Sequence, residues 1–333
     1  MEELLDNFDK FCFDKNLFEI RDKVLDNNRI DINDALNIMA TNDINSLGQL
    51  AAYKKNQLHG RKVYFVVNRH INPTNVCAIS CKFCAFGKPK GSKDAYEMSM
   101  DKILSLVNDE LKEIHIVGGL HPDWEFEKYL NIVREVSKAA PKSHIKAFTA
   151  VEIDWFSQIS GKPVSEVVSS LMDAGVDALP GGGAEIFAPE VRKKICSPKT
   201  TGDSWLEVHR EAHKLGMPSN ATILYGHLES DHDVVDHLNK LRSLQDDTNG
   251  FFAFIPVLFQ PFNTSLKNVK PFPFSYDLKV HSLARLFLDN FPYIKVYWIT
   301  LGEKAAQVAL CLLYTSDAAD EGLGVDLGGR RII

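Results

Sequence analysis

The sequence predicts an α/β chain: a TIM-type parallel (β/α) barrel, incomplete at its C-terminal end, preceded by an N-terminal helical segment. Three observations predict it. From residue 63 onward, β-rich apolar runs alternate with amphipathic stretches at spacings suited to right-handed βαβ units. Glycine and polar motifs recur just after the strands, at the carboxyl rim where such barrels keep their chemistry. Three thiols follow the first strand within eight residues, Cys77 to Cys84. A doubly wound α/β sheet is the alternative arrangement of the same elements.

Residues 1–60 read as helices, with Leu17, Ile20, Val24 and Leu25 on one face and Ile32, Leu36 and Met39 on another. The barrel core is expected over residues 61–310. Its first strand is placed at Val63 to Val67, an apolar run of the fully buried kind, broken by Pro73. A helix near 100–109 takes Ser99 as N-cap, and a strand follows at Ile114 to Val117. Next come a helix (125–139), a strand (145–150) and a helix (163–174) with Pro163 in its first turn. A fourth strand spans Val176 to Leu179. The spacing Ser204-Trp205-Leu206-Glu207 suits a capping box that starts a helix ended by Gly216. The alternation closes with a strand (220–225), helix (231–245), strand (251–258), helix (275–289) and strand (293–299).

Residues 311–333 do not continue this pattern. From Cys311 through Glu321 the chain is similar to translated sequencing-adapter read-through, so a non-native tail is expected there.

Composition narrows the function classes. The 333-residue chain is 45% hydrophobic and 25% charged, ordinary for a globular protein. A net charge of -6, with both signs interspersed, gives no footprint for nucleic acid. No apolar run approaches the roughly 20 residues of a membrane helix. The acidic start, Met1 to Asp6, lacks a signal-peptide layout, so the expected location is cytoplasmic.

The sharpest chemical signal is Cys77-Ala78-Ile79-Ser80-Cys81-Lys82-Phe83-Cys84. A Cys-x3-Cys-x2-Cys loop can wrap a cube of iron and sulfide, with three thiolates on three irons and the fourth iron open to a small molecule. Zinc is the competing occupant. Structural zinc usually takes four ligands from paired knuckles, and no second Cys-x2-Cys is present; His70 and His121 could complete a set only by folding. A disulfide framework does not suit closely spaced thiols in a chain without a secretory signal.

The triplet after a first barrel strand resembles the radical S-adenosylmethionine (SAM) enzymes. The resemblance implies a [4Fe-4S] cluster on Cys77, Cys81 and Cys84, with SAM on the open iron and Phe83 near its adenine. It also implies that Gly118-Gly119 meets the SAM amino group through its backbone. Longer motifs narrow it: Asn68 to Asn75, Gly118 to Asp123, Ile145 to Ile153, Leu179 to Phe187 and Ser219 to His227 are similar to the aminofutalosine synthase family of menaquinone biosynthesis. That family implies addition of the 5'-deoxyadenosyl radical to 3-[(1-carboxyvinyl)oxy]benzoate, with rearrangement and decarboxylation to aminofutalosine. A flavodoxin or ferredoxin is the implied electron donor. The dehypoxanthine futalosine cyclases and deazaflavin synthase components share the glycine-rich segments, but tend to carry a Ser-Pro type sequence where this chain has Thr149-Ala150-Val151. A zinc or iron–sulfur protein without catalysis is the alternative of a different class.

A substrate with two carboxylates calls for donors, so Arg69, His70, His121 and Asn220 are the candidate substrate-binding residues. Glu152, Glu185 and His227 are the candidate catalytic groups, with Glu185 also placed to bind SAM. Each has a plainer alternative as a hydrogen-bonded structural residue or helix cap. Cys196 is isolated in sequence, and Trp298 and Phe262 read first as packing.

Overall fold

Helices lead because their apolar residues recur at helical spacing and acidic side chains cap their starts. The computed structural model describes residues 5, 7–60, 62–108, 110–312, 315, 316, 318 and 319. The chain opens with α1 (Phe8–Phe11), α2 (Asn16–Leu25), α3 (Ile32–Ala40) and α4 (Ile44–His59). Asp31 caps α3 in a reciprocal box with Asp34, and Asp43 caps α4 by accepting from the Ser46 N–H.

Strand and helix then alternate. In order come β1 (Val67–Ile71), α5 (Met100–Leu104), β2 (Glu113–Ile116), α6 (Phe126–Ala139) and β3 (His144–Ala147). Four helices follow: α7 (Ala150–Ser160), α8 (Val164–Ala174), α9 (Pro189–Cys196) and α10 (Gly202–Lys214). Next are β4 (Ser219–Tyr225), α11 (Asp231–Thr248), β5 (Phe251–Leu258), α12 (Phe274–Phe287) and β6 (Tyr293–Val296). The described chain finishes with α13 (Trp298–Leu301), α14 (Glu303–Leu312), β7 (Thr315–Ser316) and β8 (Ala318–Ala319). No helix among the described residues is long and apolar enough to cross a membrane.

The chain divides into two compact units. The first holds residues up to Phe65, Ile223–Phe259 and Lys270–Asp317. In it, α12 packs on α3 and α4, burying Ile38, Leu47 and Leu50 with Val280, Leu283 and Phe287. Parallel pairing links β5 to β6 and β6 to β7.

The second unit holds Val66–Thr222, Gln260–Val269 and, at the end of the described residues, Ala318 and Ala319. Its sheet runs β3-β2-β1-β8, all parallel. One face is apolar, with Ile71, Ile114, Ile116, Ile145 and Ala147 almost fully buried. Helices α7, α8 and α10 pack on one another in the same unit.

The α/β class and its parallel strands agree with the sequence-based expectation; several boundaries do not. The first strand is β1, four residues later than placed, and Val63, Tyr64 and Phe65 are exposed at 47%, 47% and 71%. An apolar β-branched run suits a strand interior and an exposed lead-in equally, so composition alone misplaced it. The strand at Val176 to Leu179 is reduced to the bridges Lys146–Ala178 and Leu179–Ser219. The N-cap of helix α10 lies three residues earlier than expected, because Thr201 takes that role in place of Ser204 and accepts from the Ser204 N–H. Helices α7 and α9 were not anticipated. Of residues 311–333, only those in α14, β7 and β8 are described; the rest of the expected tail lies outside the described residues.

Candidate active site

All of the cysteine loop lies in the second unit, after the carboxyl end of β1. Backbone bonds from distant segments fix its shape: the Cys77 N–H donates to Lys88 O (2.8 Å) and the Ala78 N–H to Leu120 O (2.8 Å). The Lys82 N–H donates to Ile195 O (2.8 Å), while Lys82 O accepts from the Ser265 N–H (2.9 Å). The loop is thus held by the chain after β2, by the last turn of α9 and by the 260–269 segment.

Gly87 sets the spacing of two thiols. A Cβ there would meet Cys77 Cβ at 3.3 Å, Cys84 Sγ at 3.7 Å and Cys77 Sγ at 3.9 Å. Its N–H donates to Cys84 Sγ at 3.3 Å. Cys77, Cys81 and Cys84 are all free and partly exposed. Among the described residues no three His, Cys, Asp or Glu side chains gather tightly enough to hold one metal ion. Three thiolates on one loop are the donor set that a [4Fe-4S] cube takes, one thiolate to each of three irons.

Cys81 has charged company. Burial pushes its thiol up to about 12, and the nearby Lys199 ammonium opposes that rise. Lys199 pairs with Glu185 at 2.5 Å and lies 5.3 Å from the centre of the Phe83 ring. Burial disfavours the Lys199 charge, yet Glu185 and Cys81 together hold it above its ordinary value. Cys196 is close enough to Cys81 and Lys199 to interact with both electrostatically, although it is distant in sequence. Arg192 shapes the surrounding turn by donating to Ala184 O, Ile186 O and Thr200 O. Glu185 itself sits at φ +50, a left-handed conformation uncommon outside glycine.

The Gly118-Gly119 turn packs directly on the cysteine loop. A Cβ on Gly119 would lie 2.2 Å from Val76 O, so only glycine fits. The Gly119 N–H donates to Thr74 O, and the Gly118 N–H donates to Glu152 Oε1 at 2.8 Å. Glu152 is also the third residue of α7, where its other oxygen accepts from the Thr149 N–H and hydroxyl. Burial raises Glu152 to about 7 against those hydrogen bonds. It is therefore a cap that fixes the glycine turn. A ligand ammonium only donates, so on this turn the groups that can receive it are the carbonyl oxygens.

The candidate substrate residues separate. His121 accepts from the Asp123 N–H through Nδ1, faces Glu97 through Nε2 (3.1 Å), and stacks on Trp124 at 4.8 Å. Both ring nitrogens are engaged. Arg69 shares the Ile71 face of β1, and His70 the opposite face. Asn220 is buried in β4 beside Gly181, whose Cβ would meet Asn220 O at 2.4 Å. His227 belongs to the first unit, and its ring is tied to Leu224 O and to Glu229 Oε2 (2.8 Å). Burial alone would raise Glu229, but the His227 bond and charge hold it below its ordinary value.

Beside His70 lies a polar row that sequence reasoning missed. His70 pairs with His115 on β2, and His115 with Lys146 on β3, so all three share one face. The His70 and His115 rings are 4.6 Å apart. Glu113 bridges the row, 2.5 Å from His115 Nε2 and 2.6 Å from Lys146 Nζ. The signal was present as period-2 polarity inside apolar strands, Glu-Ile-His-Ile and His-Ile-Lys-Ala.

With this geometry in place, the likeness to known proteins is specific. The radical SAM superfamily model matches residues 71–241, and the CofH/MqnC C-terminal region model matches residues 248–322. Aminodeoxyfutalosine synthase of Thermus thermophilus is 43% identical over 305 residues, covering 89% of this chain and 82% of the relative. Aminodeoxyfutalosine synthase of Streptomyces coelicolor is 39% identical, covering 88% and 79%. The 5-amino-6-(D-ribitylamino)uracil–L-tyrosine 4-hydroxyphenyl transferase of Methanopyrus kandleri is 38% identical, covering 75% and 70%. Among solved structures, methylornithine synthase superposes with a TM-score of 0.71 at 17% identity, covering 90% of this chain and 85% of that one. That likeness shows the fold alone, a partial TIM-type barrel. On its family match over residues 71–241, with three free thiols on the loop after β1 and a glycine turn packed on that loop, the chain belongs to the radical SAM superfamily.

Proposed function

We propose that this chain is a radical SAM transferase of the aminodeoxyfutalosine synthase type. It would join the 5'-deoxyadenosyl group of SAM to 3-[(1-carboxyvinyl)oxy]benzoate, with rearrangement and loss of a carboxylate, giving aminofutalosine and methionine. The observation that carries this is the 43% identity to the Thermus thermophilus synthase across 82% of that protein. The Thr149-Ala150-Val151 segment, where sibling enzymes tend to carry a Ser-Pro type sequence, points the same way.

Cys77, Cys81 and Cys84 would hold a [4Fe-4S] cluster, which when bound supplies the single electron that opens the SAM sulfonium. The chain's own residues do the rest. The Gly118 and Gly119 carbonyls would accept from the SAM ammonium, on a turn whose N–H groups are pinned to Glu152 and Thr74. The Lys199–Glu185 pair offers a cation for a carboxylate and a carboxylate for ribose hydroxyls, with the Phe83 ring beside it. His70, with His115 and Lys146, provides donors for substrate carboxylates, with Asn220 proposed to join them; Arg69, on the opposite face of β1, stands apart from this row. A flavodoxin or ferredoxin would deliver the electron, in the cytoplasm.

A second assignment is favoured by the 38% identity to the tyrosine hydroxyphenyl transferase. Isotope-labelled SAM decides between them. Reconstituted anaerobically and given reductant and the enolpyruvyl benzoate, the protein should yield a product carrying the labelled adenosyl group. Free 5'-deoxyadenosine as the sole coupled product, or turnover only with L-tyrosine and the ribitylaminouracil, would reject the synthase.

A further inference from the structure

We infer that the exposed lysines around the cysteine loop form a docking face for an acidic one-electron donor protein. The inference rests on the cluster part of the proposed function and not on the identity of the organic substrate. A cluster at Cys77, Cys81 and Cys84 takes its electron from outside the chain, so whatever surface covers this loop governs delivery.

Three segments meet at Lys82, between the second and third cysteines. The end of α9 reaches it through Ile195 O and the 260–269 segment through the Ser265 N–H. Each brings lysines within two residues of its contact: Lys193 and Lys194 on α9, and Lys267 beyond Ser265. Lys82, Lys193, Lys194 and Lys267 are all exposed, and among the described residues none forms an ion pair. From Cys77 to Lys93 the loop carries Lys82, Lys88, Lys90 and Lys93 and no acid; from Gln260 to Lys270 there are two lysines and no acid. Lys90 alone among these is neutralised, by Asp123.

Two lysines in the last turn of α9 would also suit its dipole. That accounts for α9 and leaves Lys82 and Lys267, which lie in irregular backbone, unexplained. The contrast with the whole chain is the stronger point. A protein of net charge -6 has gathered unpaired cations around its one thiol-rich loop. Such a patch attracts an acidic partner, aligns it and raises its association rate in a salt-dependent way.

The test uses the full chain, reconstituted anaerobically, with Lys193→Glu, Lys194→Glu and Lys267→Glu combined. Reduced flavodoxin, an acidic protein, is the probe, and cluster reduction is followed by visible absorbance and electron paramagnetic resonance. The variant should need at least tenfold more flavodoxin for half-maximal reduction at low salt, and the steep salt dependence of the wild type should flatten. Dithionite reduction and dithionite-driven SAM cleavage should stay within twofold, which shows that fold and cluster survive. Reduction by flavodoxin at the wild-type rate and salt dependence would overturn the inference. So would tight, salt-sensitive binding of a single-stranded oligonucleotide lost in the variant alongside unchanged flavodoxin kinetics. Failure to make aminofutalosine while flavodoxin dependence holds would reject the substrate assignment and leave the docking face standing.

Discussion

The cysteine loop and the turn after β4 both place buried ionisable groups at the end of a strand, and they do so to opposite effect. At the turn, Glu229 accepts from the Gly226 and His227 N–H groups and faces the His227 ring, so donors and acceptors close on themselves within four residues. At the loop, thiols stay partly exposed, and Lys199 holds its charge between Glu185 and Cys81. A closed polar turn is a structural part. A polar group facing unpaired thiols is a chemical one.

Five measurements would break or sharpen this contrast. Replacing Cys77, Cys81 or Cys84 with Ala should abolish SAM cleavage and leave less than the about four irons of a full cluster. His227→Asn should retain both iron and cleavage; loss of iron there would erase the distinction. Lys199→Met strands the Glu185 carboxylate and should cost about 3–5 kcal/mol in chemical unfolding of the apoprotein, as broken buried pairs do. Gly119→Ala forces a Cβ against Val76 O and should cost up to about 3 kcal/mol, with weakened iron retention. In the first unit, Tyr225→Phe removes the hydroxyl that donates to Asp277 and should cost about 1–3 kcal/mol without changing iron content.

A separate effect is a pH slope. Burial raises Glu152 from 4.5 to about 7, so the folded protein binds its proton more tightly than the unfolded chain does. Stability from this group is fully present below about pH 4.5 and is lost as pH rises through about 7. Relative to Glu152→Gln, wild type should therefore lose roughly 3 kcal/mol over that window and then level off. Asp277, raised by burial to about 6, adds a slope of the same sign in the first unit. A Glu152→Gln difference that is flat in pH would mean that its three hydrogen bonds, and not burial, set its charge.

Much of this was legible before folding. The Cys77–Cys84 spacing, the glycine turns and most helix positions were read directly, because local spacing and capping carry them. Glu152 was not resolved in the same way. A carboxylate three residues after Thr149 reads equally as a catalytic acid and as a capping box, and only the Gly118 contact separates them. His121 shows a similar limit, since its contact with the Asp123 N–H is local while Glu97, 24 residues away, meets its ring only through the fold. Lys199 was invisible. Nothing in Ser197-Pro198-Lys199 announces a partner fourteen residues back in Glu185 and a thiol in Cys81.

The bond between Lys82 O and the Ser265 N–H also bears on biosynthesis. About 180 residues of chain separate the two, so the thiols leave the ribosome roughly 10–40 seconds before their last clamp is made. During that interval the nascent loop is open to oxygen and to stray metal ions. Cluster insertion in a living cell therefore belongs after the segment around Ser265 has emerged and docked, and growth conditions that keep iron–sulfur supply ahead of translation should decide how much of the protein matures.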